Sequence, residues 1–415
     1  MKVAEPVHDP SYERRAVTLL LFGFGLVGLD RWVIAPLFPF IVRDLHVNYQ
    51  DLGTAIGVLG VAWGVSAMFM GSLSDRIGRR KVLVGAMLIF SLLSVITGMA
   101  TGIVTLILAR GIMGVSEGAF CPTSFAATAE ASLPTRRGFN QGLQQSSFAL
   151  FGLGIGPILA TQLVAVMSWR WVFMIVGLPG LILSYLIART IRENRHMIRH
   201  ASGKTSAPHM TVRDLFAHRN VALSMFALLF AMMGIFVLSS MTPSYLTDHL
   251  GLSGRQMGFV TSAIGFGGFL GQWGLAGFSD LLGRRSMAIL GFIGGAIFIA
   301  LFAAAGPNPI LLFVLLFLGT GIAFGLLSLI TGPMASEAAP PGRGASVAGM
   351  IMGPAEIFGG GIAPFAAGFI AQRFGIQYTL YVAIAGLLVG AVVSLFFLET
   401  APRRTAQTST AVAED

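Results

Sequence analysis

Charge and sulfur are what this 415-residue sequence has least of. Only 11% of its residues are charged, against about 25% in an ordinary soluble domain. A single cysteine, Cys121, excludes a disulfide framework and a multi-cysteine metal site. There is no complete Gly-x4-Gly-Lys-Ser/Thr phosphate loop, no metal-ligand cluster and no Ser-His-Asp arrangement, so neither hydrolysis nor ATP use is indicated. His8, His46, His196, His200, His209, His218 and His249 all fall in loops or span ends. The first apolar run is too long for a cleavable signal peptide and lacks a small-residue cleavage site.

What is abundant is apolar surface. Hydrophobic residues make up 55%, mean hydropathy is +0.79, and the 53 glycines suit closely packed membrane helices. Twelve runs are long enough to span a bilayer: 16–42, 51–70, 81–100, 102–130, 139–166 and 169–188, then 220–247, 257–276, 286–305, 308–336, 345–371 and 376–398. They predict an all-α membrane protein with a cytoplasmic tail at 1–15, a six-helix bundle at 16–188 and a basic central loop at 189–219. A second bundle at 220–398 and a tail at 399–415 complete the chain. The net charge of +9 does not imply nucleic acid, because the basic residues occupy short connections. Of 27 Lys and Arg, 21 lie on the side of the N-terminus, four on the other, and Arg31 and Arg110 within spans. The positive-inside rule then places both termini in the cytoplasm of an inner-membrane protein. The basic connections can touch anionic lipid, although topology alone accounts for them.

The halves repeat. Gly53 to Arg80 matches Gly258 to Arg285 at a spacing of 205 positions, through Ser74-Asp75 with Ser279-Asp280 and Gly78-Arg79-Arg80 with Gly283-Arg284-Arg285. Glu130 and Arg137-Gly138 echo Glu337 and Arg343-Gly344 with little drift. A six-plus-six repeat around a basic loop is the organisation of a rocking carrier with its site between the halves.

Gly71-Ser72-Leu73-Ser74-Asp75-Arg76-Ile77-Gly78-Arg79-Arg80-Lys81 resembles the signature loop of the major facilitator superfamily, with a weaker second copy at Gly277 to Arg285. The resemblance covers essentially the whole chain. It implies twelve helices in two pseudo-symmetric bundles, alternating access, and a conformational latch made of Gly71, Asp75, Arg76, Gly78, Arg79, Arg80, Glu130, Asp280 and Arg284. Physically, the glycines permit a tight turn and the arginines can pair with Glu130; the competing reading is topology alone.

Charges at mid-depth are the strongest functional signal. Asp30 lies roughly 20 Å into the first span, where a charge costs on the order of 3 kcal/mol. Arg110 and Glu117 share one face of the fourth span. The Asp-Arg pair with the Arg-x6-Glu-Gly run resembles the anion:cation symporter branch, as does Pro243-Ser244-Tyr245-Leu246 in the seventh span. That resemblance implies proton carriers at Asp30 and Glu117 and an anion contact at Arg31, whose fork fits a carboxylate. Because side chains at i and i+1 diverge, Asp30 and Arg31 are expected to engage different partners. Gln144 and Gln145 are either substrate ligands or, equally, interhelical hydrogen bonds, and Tyr245 is either a substrate ligand or, as is commoner for such a tyrosine, an interfacial anchor. Glu356, flanked by Pro354 and Gly359-Gly360-Gly361, is a second-half acid at the cavity, either protonated or facing a cationic or hydroxylated part of the substrate.

The expectation is therefore a monomeric secondary transporter, not an enzyme, taking up a small organic anion with protons. It needs no metal or cofactor, only the proton gradient. Coupling would reside in the first half and selection in the second. Gly152-x3-Gly156-Pro157 partly matches the signature of antiporters and leaves drug export as the rival. A membrane sensor that does not transport is a further alternative.

Overall fold

The computed structural model describes residues 9–133, 135–193, 218–338 and 344–401. Arg343, four of the histidines, most of the central loop and the outer parts of both tails lie outside the described residues. Twelve helical rods are present among those described, with no β-strand. They are α1 Pro10–Leu45, α2 Tyr49–Ile77, α3 Arg79–Gly98, α4 Ile103–Ala131, α5 Arg137–Val164 and α6 Trp169–Thr190. The second set is α7 Arg219–His249, α8 Gly254–Leu282, α9 Arg284–Ala304, α10 Pro309–Ala338, α11 344–374 and α12 Tyr378–Ser394. Ten are long and apolar enough to cross a membrane; glycine-rich α8 is less apolar and α12 is shorter.

Helix starts follow from local chemistry. Asp9 accepts from the N–H groups of Ser11 and Tyr12 ahead of Pro10, which needs no donor at the first position. Asn48 with Asp51 and Ser253 with Gln256 form capping boxes at equivalent positions of the two halves, opening α2 and α8. Both of those helices end on a glycine, Gly78 with φ 104° and Gly283 with φ 96°, a backbone that L side chains rarely adopt. The next helix begins at once, so each arginine pair is thrown onto a helix N-terminus.

Within each half the helices pack pairwise, α2 on α4 and α3 on α6, then α8 on α10 and both α7 and α9 on α12. Across the halves, α2 runs along α11 and α5 along α8. These seams are glycine-rich because association in lipid depends on close backbone approach rather than on hydrophobic exclusion. The apolar side chains left outside, among them Val104, Leu108, Ile182 and Ile310, form the lipid-facing surface.

At the α2 N-terminal end the halves are joined by hydrogen bonds. Tyr49 donates its hydroxyl to Asp248 at 2.6 Å and its N–H to Gln372 at 3.3 Å. A cavity of about 480 Å³ opens beside them, lined in part by Arg43, Tyr49, Asp248 and Gln372. The Tyr49→Phe variant should loosen this end modestly, since an exposed hydrogen bond contributes about 1 kcal/mol at most, or roughly fivefold in population. Thiol labelling of a cysteine introduced at Arg43 would read the change against the buried Cys121 background; labelling unchanged from the parent would exclude a closing role for Tyr49.

Candidate functional site

About two thirds of the way along the 36-residue α1 lie Asp30, Arg31 and Trp32, followed by Val33, which stays helical and donates its N–H to the Leu29 carbonyl at 2.9 Å. Among the described residues, five acidic and basic side chains converge there from three helices: Asp30 and Arg31 of α1, Arg110 and Glu117 of α4, and Glu356 of α11. All are buried, none more than 2% exposed. Asp30 and Arg31 do diverge. The Asp30 carboxyl faces Ser94 and Arg110 inside the first half. Arg31 crosses to the second half and pairs with the Glu356 carboxylate through its Nη2.

An aromatic cage closes around that guanidinium. Its carbon lies 4.8 Å from the ring centre of Phe236 and 5.5 Å from those of Trp32 and Trp63. Each face-on ring favours the cation, by more where water is excluded. Trp32 also packs on Phe236 with ring centres 5.3 Å apart, joining α1 to α7. The indole N–H groups of Trp32 and Trp63 are both buried without a hydrogen-bond partner among the described residues. Two unused donors therefore sit beside a buried cation.

Arg110 serves the backbone. Its Nη1 donates to the Asp30 carbonyl at 2.8 Å and to the Arg31 carbonyl at 3.3 Å, and its guanidinium lies 5.7 Å from the Phe173 ring centre. It thereby ties α4 to the α1 backbone at Asp30 and Arg31. Glu117, one helix face along, feels the charges of Asp30, Arg31, Arg110 and Glu356. Neither of its carboxyl oxygens has a hydrogen-bond partner among the described residues.

The amides and tyrosine singled out in the sequence do not join this cluster. Gln144 is fully buried and accepts from Thr128 at 2.6 Å, tying α5 to α4. Gln145 is half-buried on the same helix. Tyr245 is buried within the second half, stacked on His249 and packed against Phe302. Trp63 and Phe236, which do join it, carried no sequence signal, because an aromatic in a membrane helix reads equally as a lipid-facing residue.

The signature arginines form two matching clusters at the opposite end from Tyr49. Arg79 pairs with Asp75 at 2.9 Å and with Glu130 of α4. In the second half Arg284 pairs with Asp280 at 2.7 Å and with Glu337 of α10 at 2.8 Å. Each described pair at this end stays within one half. Arg76 is exposed, and Gly71 faces Pro122 of α4. Arg80 lies 3.9 Å from Glu193, just after α6. Glu399, the counterpart of Glu193 just after α12, accepts from the N–H groups of Arg284 at 2.8 Å and Arg285 at 3.2 Å. A carboxylate on a helix N-terminus is favoured by its free donors and dipole. Sequence reasoning missed these two acids; the spacing of 206 that links them was the available signal.

Comparison with known proteins adds the family. The Major Facilitator Superfamily model matches residues 20–273 and 224–414. A probable sulfoacetate transporter of Cupriavidus necator is 27% identical over 89% of this chain and 90% of its own length. The 3-(3-hydroxy-phenyl)propionate transporter of Escherichia coli is 30% identical over 74% of this chain and 82% of its own. Among solved structures, a bacterial homologue of the human lysosomal transporter Spinster, 16% identical, superposes with a TM-score of 0.74 over 93% of this chain and 97% of that one. Together with the all-helical architecture, these matches establish the chain as a transporter of the Major Facilitator Superfamily, not an enzyme.

Proposed function

We propose that this protein carries a small organic anion inward together with protons, by alternating access from the cytoplasmic membrane with both termini inside. The observation that carries the reading is a buried cluster of two guanidiniums and three carboxyls between the halves. Fully ionised, that cluster holds one negative charge in excess, which one bound proton cancels. An arriving carboxylate adds another, which a further proton offsets. In a medium that penalises net charge, anion and proton are then favoured together. Arg31 is the anion contact, with the Trp32 and Trp63 N–H groups as flanking donors. Asp30 and Glu117 are the proton carriers, Glu117 having no hydrogen-bond partner among the described residues. The relatives named for sulfoacetate and a hydroxyphenylpropionate support an organic acid as the cargo.

The test is uptake of glucuronate, sulfoacetate and 3-phenylpropionate into proteoliposomes under an inward pH gradient. Wild-type protein should accumulate at least one of them and lose that accumulation to a protonophore. Asp30→Asn and Glu117→Gln should each abolish accumulation while the purified protein stays monodisperse. Full concentrative uptake by Asp30→Asn would remove it from the coupling role. Protection of cells against toxic amphiphiles, with no organic acid taken up, would favour export instead.

A further inference from the structure

We infer that Glu356 is a built-in stand-in for the substrate carboxylate: it holds Arg31 when no substrate does, and substrate binds by displacing it. The inference rests on the anion-uptake reading above and assigns a role inside that site.

The argument begins with access to Arg31. Rings from α1, α2 and α7 surround the guanidinium, and Asp30 points away from it into the first half. Glu356 is its ion-pair partner, both side chains being almost wholly buried. Glu356 engages the guanidinium through Nη2, while the buried Nε has no hydrogen-bond partner among the described residues, so a carboxylate that takes the Nε–Nη2 edge in a bidentate way competes with Glu356 for Nη2. Gly360 lies one turn further along α11, and a Cβ built on it would stand 2.8 Å from Arg31 Nη2. The fork is therefore walled on that side by α11 backbone, and the room for an incoming anion is the room Glu356 occupies.

Next comes the position of the pair. Arg31 belongs to the first half and Glu356 to the second, so the pair spans the seam that must rearrange in transport. Glu356 opens a π-helical stretch, Glu356–Ile362, preceded by Pro354 and containing Gly359, Gly360 and Gly361. Such wide turns have weak registers and shift at modest cost, which suits an acid that must leave and return.

Finally, the pair answers an electrostatic requirement. A net importer must reset its site without cargo, and an unpaired buried guanidinium would oppose that step. The carboxylate of Glu356 neutralises Arg31 and bridges the halves, as a bound anion would. Exchange of one anion for another never passes through the cargo-free form and has no need of Glu356. Net uptake and exchange should therefore separate.

The test uses full-length protein in proteoliposomes and, as probe, whichever of glucuronate, sulfoacetate and 3-phenylpropionate the wild type accumulates. Glu356→Gln should lower net uptake about tenfold or more while anion-for-anion counterflow stays within about threefold. With the internal competitor gone, the variant should also bind the probe about fivefold tighter or more, read by quenching of Trp32 and Trp63 fluorescence and by a larger thermal stabilisation. Should Glu356→Gln fail to fold, Glu356→Asp, whose shorter carboxylate reaches Arg31 less well, should move affinity in the same direction. Equal loss of net uptake and counterflow, or weaker binding, would make Glu356 an ordinary substrate ligand and overturn the inference. Unchanged transport and affinity would overturn it as well. If the wild type accumulates none of the three, the uptake reading itself fails and takes the inference with it, an outcome distinct from all the others.

Discussion

Replacing Arg31 by alanine should abolish transport and destabilise the protein by about 3–5 kcal/mol, the range for breaking a buried ion pair from one side. The loss has two parts. Glu356 is left buried at 2% exposure with no cation, and the three rings around Arg31 lose the charge they enclose. The double variant Arg31→Ala with Glu356→Ala removes both charges and should recover more than half of the lost stability, without recovering any transport. Thermal unfolding of the purified single and double variants measures the first effect, and proteoliposome uptake the second. A double variant no more stable than Arg31→Ala would mean that the pair contributes little, and retained uptake in Arg31→Ala would remove it from the anion site. Arg31→Lys should bind anions poorly even though it keeps the charge, because an ammonium lacks the planar fork.

The second large effect is steric. Gly360 lies where α11 crosses α2 beside the site, and a Cβ there would run into the Glu356 carboxylate and the Arg31 guanidinium together. Gly60 of α2 meets the Gly360 backbone from the other side, so the helix cannot retreat. Overpacking of this kind costs about 1–3 kcal/mol where the surroundings can yield, and more where backbone is the obstacle. Gly360→Val should therefore lower both uptake and counterflow about tenfold or more, which separates it from Glu356→Gln. Uptake and counterflow assays on protein that remains monodisperse make the comparison. Near-normal transport by Gly360→Val would mean that the seam opens at this level in every state.

The two halves of the site differ in how far they could be read in advance. Asp30, Arg31, Arg110 and Glu117 are conspicuous because a charge at mid-depth in an apolar run demands a reason. Glu356 is conspicuous on the same ground, but its partner is not. Charge patterning within one helix tells which residues share a face and says nothing of a partner 325 positions away. In the fold, α11 brings Glu356 to Arg31, so the deep acid of the second half sits in one cluster with the charges of the first. On spacing alone Gln144 read equally as a cavity ligand and as an interhelical hydrogen bond, and spacing could not show that Thr128 donates to its carbonyl oxygen. The rings of Trp63 and Phe236 were invisible for the opposite reason: in a membrane helix an aromatic side chain is unremarkable until a cation is found beneath it.

By itself, the sequence determined the elements and their symmetry. Long apolar runs force helices wherever lipid denies the backbone other partners. Asn48 and Ser253, Gly78 and Gly283, and Arg79 and Arg284 mark matching starts, turns and ion clusters, because caps and tight turns are local chemistry. Only the tertiary structure decided what faces what across the seam. The pairing of Arg31 with Glu356, the rings of Trp63 and Phe236 around Arg31 and the cap that Glu399 supplies to α9 all join residues far apart in the chain. Such contacts depend on how the helices pack, and helix packing is a property of surfaces rather than of runs of residues.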